Sequence, residues 1–326
     1  MKKNYLLRLI PSFPYGRWVC AALLFSGLFL FFKLTSTAAI TPFVLFSALI
    51  ISYIIPIFSF ITEKSVQALD DLKDELGLTN EAFSQLKMSI THTTLAGNLI
   101  PPAVGLTLAF LHQWLIFDVT LNLSIGNSDS AEHFASLIGT ILIWVTMTSV
   151  INALTSNARI FSRLARNHVK IDLLQTSKLL PFARVAIRST LALIGALTLF
   201  PILFFDTGTP LTGSLPGFLA TGVPILIMLA IPIWPIHRRL LLAKEKALSE
   251  VRLLIHDVTQ KSDEQPFNKQ TINDLAPLLT YQRHLSQLST WPFDLNAVTR
   301  LLLYLIIPPL TWVGAALIEK GLDSVL

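Results

Sequence analysis

The sequence predicts an all-α, polytopic membrane protein of about seven transmembrane helices with a cytoplasmic helical bundle. Three observations predict it. The chain is unusually apolar: 52% of its residues are hydrophobic, only 14% are charged, and its mean hydropathy is +0.61. Soluble domains carry about 25% charged residues. Seven stretches approach the about 20 apolar residues needed to cross a hydrocarbon core about 30 Å thick. The basic residues, finally, fall almost entirely into alternate loops.

In chain order the spans are 18–33, 39–61, 95–117, 134–154, 185–205, 218–236 and 296–318. The first is short, and the third contains His112 and Gln113, so these two carry the weakest signal. The N-terminus, MKKNYLLRLIPSFPYGRW, leads into an apolar run with no small-residue cleavage site after it, which predicts a retained first helix. Cys20 is the single cysteine and lies in that helix, so no intrachain disulfide or cysteine-based metal site can form.

Lysine and arginine concentrate in cytoplasmic loops of membrane proteins. With a cytoplasmic N-terminus and seven spans, all but Lys33 and Lys320 of the 25 basic residues fall on the cytoplasmic side. Those two sit at span ends, where a long stem can snorkel to the interface. The opposite loops, 118–133 and 206–216, hold acids and no lysine or arginine. The pattern places the C-terminus outside and fits a plasma-membrane location, which the bacterial likeness given below would make the bacterial inner membrane. It also accounts for the net charge of +5 without a nucleic-acid partner.

The domain organisation follows. Residues 1–236 form a six-helix membrane region with cytoplasmic helical extensions at 62–94 and 155–184. Residues 237–293 form a cytoplasmic helical hairpin, and residues 294–326 the final transmembrane helix and outer C-terminus. In the first extension Gly77 is placed to end one helix and Asn80 to cap the next. In the hairpin Leu241, Leu248, Val251, Ile255 and Val258 form a heptad-like apolar seam, interrupted at Lys244, that suits contact between subunits.

Catalytic signatures do not occur. The seven histidines make no close metal-ligand pair, and the chain has no Walker phosphate loop, no G-x-G-x-x-G and no G-x-S-x-G elbow. The expectation is a non-enzymatic protein without cofactors or metal. Ionisable residues are scarce inside the spans, which argues against ion-coupled transport but not against a channel or facilitator.

The last span supplies the functional hint. In LLLYLIIPPLTWVGAALIEKG, Leu301 to Gly321, two prolines stand near mid-span. Each removes a backbone donor, a loss tolerated in lipid where the broken turn faces protein or a water-filled cavity. At helical spacing Tyr304, Pro308, Thr311, Ala315 and Glu319 share one face and are the pore-lining candidates. Thr or Tyr hydroxyls from neighbouring helices are the alternative partners for the freed carbonyls. Pro101-Pro102 forms a second such pair.

This layout resembles the seven-helix ion channels that include insect odorant and gustatory receptors. The resemblance covers the whole chain as topology, including the long insertion before the final span. That family's last helix often begins with Thr-Tyr and ends with Gln-Phe; here Thr299, Arg300 and Tyr304 stand nearest and no Gln-Phe follows. The resemblance implies a homo-oligomer, a tetramer, with the last helix lining the pore. The phrases KIDLLQTSKLLPFARVAIRS and STWPFDLNAVTRLLLYLIIPP also look like signatures of a bacterial membrane-protein family, and these imply no particular function. A non-conducting sensor or anchor with a soluble partner and a facilitator for a neutral solute are the other readings of the chain.

Overall fold

A computed structural model describes residues 2–35, 42–117, 128–204, 211–260 and 269–291, together with Thr299, Leu303, Tyr304, Ile306 and Leu310. It is an all-helical assembly apart from one two-residue strand pair. Six of its helical segments are long and apolar enough to cross a membrane. The expected seventh span falls mostly outside the described residues.

A short strand β1 (Lys2–Lys3) and helix α1 (Tyr5–Arg8) precede α2 (Gly16–Thr35) and α3 (Pro42–Asp71). The helix α4 (Asn80–Thr91) and strand β2 (His92–Thr93) lead into α5 (Leu95–Phe117). Then come α6 (Ser128–Asn167), α7 (Leu180–Leu197), α8 (Leu211–Gln260) and α9 (Lys269–Gln287). The two strands pair antiparallel, Lys2 with Thr93 and Lys3 with His92.

Several helices run past the expected spans. Span two was expected to stop at Ile61, but α3 continues to Asp71 because nothing before Gly77 breaks it and Ala68 and Leu69 keep an apolar face. α8 runs unbroken through Pro216, Pro224, Pro232 and Pro235 and, at 50 residues, is about 75 Å long. Span five was expected at 185–205. Instead α7 begins five residues earlier, with proline in its first turn, and gives way to a 3-10 turn (Phe200–Phe204) containing Pro201. Thr79, not Asn80, caps α4, its hydroxyl accepting from the Ala82 amide at 3.3 Å. An N-cap residue is extended, and Thr79 has that backbone while Asn80 has already entered the helix.

Two apolar cores stack along the long helices. The first lies at the level of the spans and includes Ile54 and Phe58 of α3, Leu154 of α6, Leu193 of α7 and Met228 of α8. The second lies on the side where the basic residues collect. It joins Leu69 of α3, Phe83 of α4, Phe161 of α6, Phe182 of α7 and Leu240 of α8. The helical continuations beyond the spans therefore pack on one another rather than standing apart. α2 packs on α3 and α5 on α6, leaving both at the periphery.

Small residues set the closest helix approaches. A Cβ at Gly105 of α5 would meet the α6 backbone, 2.8 Å from the Trp144 carbonyl oxygen and 2.7 Å from the Val145 Cα. That contact fits the close backbone packing glycine permits between membrane helices.

Candidate functional site

Tyr304 is helical and exposed, whereas Pro308, Thr311, Ala315 and Glu319 lie outside the described residues. Of the hairpin seam, Val251 is buried within the single chain, Leu248, Ile255 and Val258 are half-buried, and Leu241 is exposed. α9 folds back against α8, and its Leu285 is fully buried. Part of the seam is therefore covered by the chain's own hairpin.

The end of α9 and the residues after it up to Trp291 are held to α8 by four contacts. Lys244 Nζ donates to the Ser286 and Leu288 carbonyls at 2.7 and 2.8 Å, satisfying acceptors that the end of α9 leaves open. His237 stacks on Trp291 with ring centroids 3.9 Å apart and planes 16° from parallel. The His237 Nδ1 also lies 3.1 Å from the Thr290 carbonyl oxygen. Lys244 reads in the sequence as an interruption of the seam, and the fold turns that interruption into a clamp. A lone basic residue in an apolar helix face was the available signal.

Two polar pairs join α5 and α6. The Trp144 indole donates to His112 Nδ1 at 3.3 Å, and Gln113 donates to Thr140 at 3.1 Å. These pairs explain how a span with His112 and Gln113 is tolerated, since each polar group has a partner across the α5–α6 contact. The Thr148 hydroxyl of α6 lies 2.9 Å from the Pro101 carbonyl oxygen. The carbonyls that Pro101 and Pro102 leave open are those of Gly97 and Asn98, so this contact ties α6 to α5 without replacing a bond that the prolines remove.

The N-terminus is built into the same region. Leu6 and Leu7 are buried in the first core, the Tyr5 hydroxyl lies 2.5 Å from Ser149 Oγ, and the Asn4 amide donates to the Thr91 carbonyl. Sequence reading assigned Tyr5 no role, because its partner is 144 residues away.

On the basic side, ion pairs join the helical continuations. Arg17 pairs with Glu63, Lys87 with Asp70 at 2.8 Å, Lys178 with Glu75 at 2.7 Å and Arg184 with Asp71 at 3.2 Å. Arg239 of α8 donates to the Ala165 carbonyl in the last turn of α6 at 3.0 Å. These contacts hold the second core together at its surface. Among the described residues no three His, Cys, Asp or Glu side chains converge. No family model, characterised protein or solved structure matches the chain.

Proposed function

We propose that the protein is the subunit of a homo-oligomeric, multi-pass membrane channel that conducts ions, cations in preference, with its last helix nearest the pore axis. The observation that carries the reading is the placement of the final run. Leu303, Tyr304, Ile306 and Leu310 are helical, yet each stays about half-exposed or more in the single chain. These four side chains are thus available to other copies. The Lys244 and His237 contacts hold the chain up to Trp291 against α8.

In this reading the subunits form a tetramer in the bacterial inner membrane, with the N-terminus cytoplasmic and the C-terminus outside. Tyr304, Pro308, Thr311, Ala315 and Glu319 line the path, and water in it takes up the carbonyls that Pro308 and Pro309 leave open. Thr311 and Ala315 form the narrow outer half, and Glu319 at the outer mouth concentrates cations.

The test starts from the Cys20→Ser background, with Thr311→Cys, Ala315→Cys or Glu319→Cys added singly. A charged, membrane-impermeant thiol reagent applied from outside should react at all three positions and block conductance at the first two. Reaction at Glu319→Cys alone would mean a dry face, and the pore assignment would fall in favour of a non-conducting anchor.

A further inference from the structure

Three arginines on α6 form an acid-free line on one helix face. Arg159, Arg163 and Arg166 are exposed, and their spacing of four and three places them within about 60° of arc on one helix face. The opposite face carries Ile160, Phe161, Leu164 and Ala165, all buried in the second core, which fixes the arginines outward. From His133 to Lys170 the sequence has no aspartate or glutamate. Arg17, Lys87, Lys178, Arg184 and Lys246 each have a carboxylate partner, while among the described residues these three arginines have none. A preference for basic loops explains why arginines lie on this side. It does not explain an acid-free line of three.

Their depth and direction point to a ligand. Arg159 follows the last buried leucine of the span region, Leu154, by five residues, or about 7.5 Å along the helix. The headgroup zone on each face of a bilayer is about 5–8 Å deep. α6 has its N-terminus toward the membrane here, and helical side chains lean toward the N-terminus. Arg163 and Arg166, one and two turns further on, therefore lean back toward the same zone. All three are arginine rather than lysine, the residue whose planar fork matches a phosphate with two parallel hydrogen bonds.

We propose that the Arg159–Arg163–Arg166 stripe of α6 is a binding site for the phosphate headgroups of anionic phospholipids in the leaflet on the basic side. The site does not depend on whether the protein conducts. Bound lipid would tie the outer surface of the second core to the membrane, where the described residues give these arginines no carboxylate partner.

The full chain is purified in a neutral detergent, and its apparent Tm is followed while phosphatidylglycerol or phosphatidylcholine with identical acyl chains is titrated into the micelles. Phosphatidylglycerol should raise the Tm and phosphatidylcholine should not. With each arginine near the surface contributing about fivefold, the Arg159→Gln/Arg163→Gln/Arg166→Gln variant should need tenfold or more phosphatidylglycerol for half the shift. The corresponding triple lysine variant, which keeps the charge, should fall between. A control that neutralises paired residues, Lys87→Gln/Arg184→Gln/Lys246→Gln, should respond as the wild type does. The proposal is overturned if the triple glutamine variant responds like the wild type, or if the control loses the response equally. It is also overturned if soluble glycerol phosphate alone gives the same shift, which would mark a free-phosphate site.

Discussion

α2 and the segment Leu173–Leu203, which contains α7, have nearly the same mean hydropathy over their most apolar stretches, yet 11% of that stretch is buried in α2 and 56% in the α7 segment. Lipid and protein interior are equally apolar, so hydropathy cannot separate them. Side-chain size and polarity do. α7 offers Ala183, Ala186, Ser189, Ala192, Gly195 and Ala196, and this small-residue surface lets α3 and α8 approach closely. α2 exposes Leu23, Leu30, Phe31 and Leu34, bulky groups that suit lipid chains. Between these two helices, small and hydroxyl residues mark the buried one and exposed leucine and phenylalanine the peripheral one.

The largest effect should come from emptying the core side of that comparison. Leu193 of α7 is 3% exposed in the first core. Leu193→Ala should cost about 2–5 kcal/mol, from lost transfer energy and the cavity left behind. Leu23 of α2 is 67% exposed, and Leu23→Ala should change stability by no more than about 0.5 kcal/mol. Thermal unfolding of both variants in one detergent decides it. Equal losses would mean that α2 is buried against something, and the division into core and peripheral helices would fail.

Two glycines sharpen the same contrast with opposite signs. A Cβ at Gly195 of α7 would lie 2.0 Å from the Tyr53 hydroxyl oxygen and 2.7 Å from its ring, whereas one at Gly27 of α2 would meet nothing within 4 Å. Gly195→Ala should therefore destabilise by about 1–3 kcal/mol through overpacking. Gly27→Ala should stabilise by up to about 1 kcal/mol, because alanine is the better helix former and nothing obstructs it. A stabilising Gly195→Ala would place α3 and α7 further apart than described.

How much of this the sequence reveals depends on the physics involved. Spans are legible because the bilayer demands length and apolarity, and α5 occupies the expected 95–117. Ends are less legible. Pro56 lies inside α3 and Pro277 inside α9 without stopping them, since packing outweighs local propensity. A long-range contact such as Tyr5–Ser149 leaves no local trace, whereas Lys244 shows only as a basic residue in an apolar helix face. Arg159, Arg163 and Arg166 serve in a sequence reading only as topology signals, because their shared face matters once the buried side of α6 is known. The pore-lining candidates beyond Tyr304 lie outside the described residues, so their placement rests on helical spacing alone.

The smallest expected effect comes from Tyr53 itself, and it tests where the Gly195 penalty resides. The Tyr53 hydroxyl donates to the Ala192 carbonyl at 3.2 Å from a largely covered position. Ala192 is inside α7, so its carbonyl also has the helix amide of Ala196 as a donor. Tyr53→Phe should therefore fall near the low end of a single hydrogen bond, about 0.5 kcal/mol. Combined with Gly195→Ala, the same change removes the nearest clashing atom, so the double variant should lose less than the two single losses added. Rescue should be incomplete, because the ring carbon 2.7 Å from the new methyl remains. The expected coupling is about 0.5–1 kcal/mol, within the range seen for residues in contact. Strict additivity would mean that the α3–α7 approach at Gly195 is not where the overpacking falls, and the small-residue account of α7 as a core helix would lose its sharpest support.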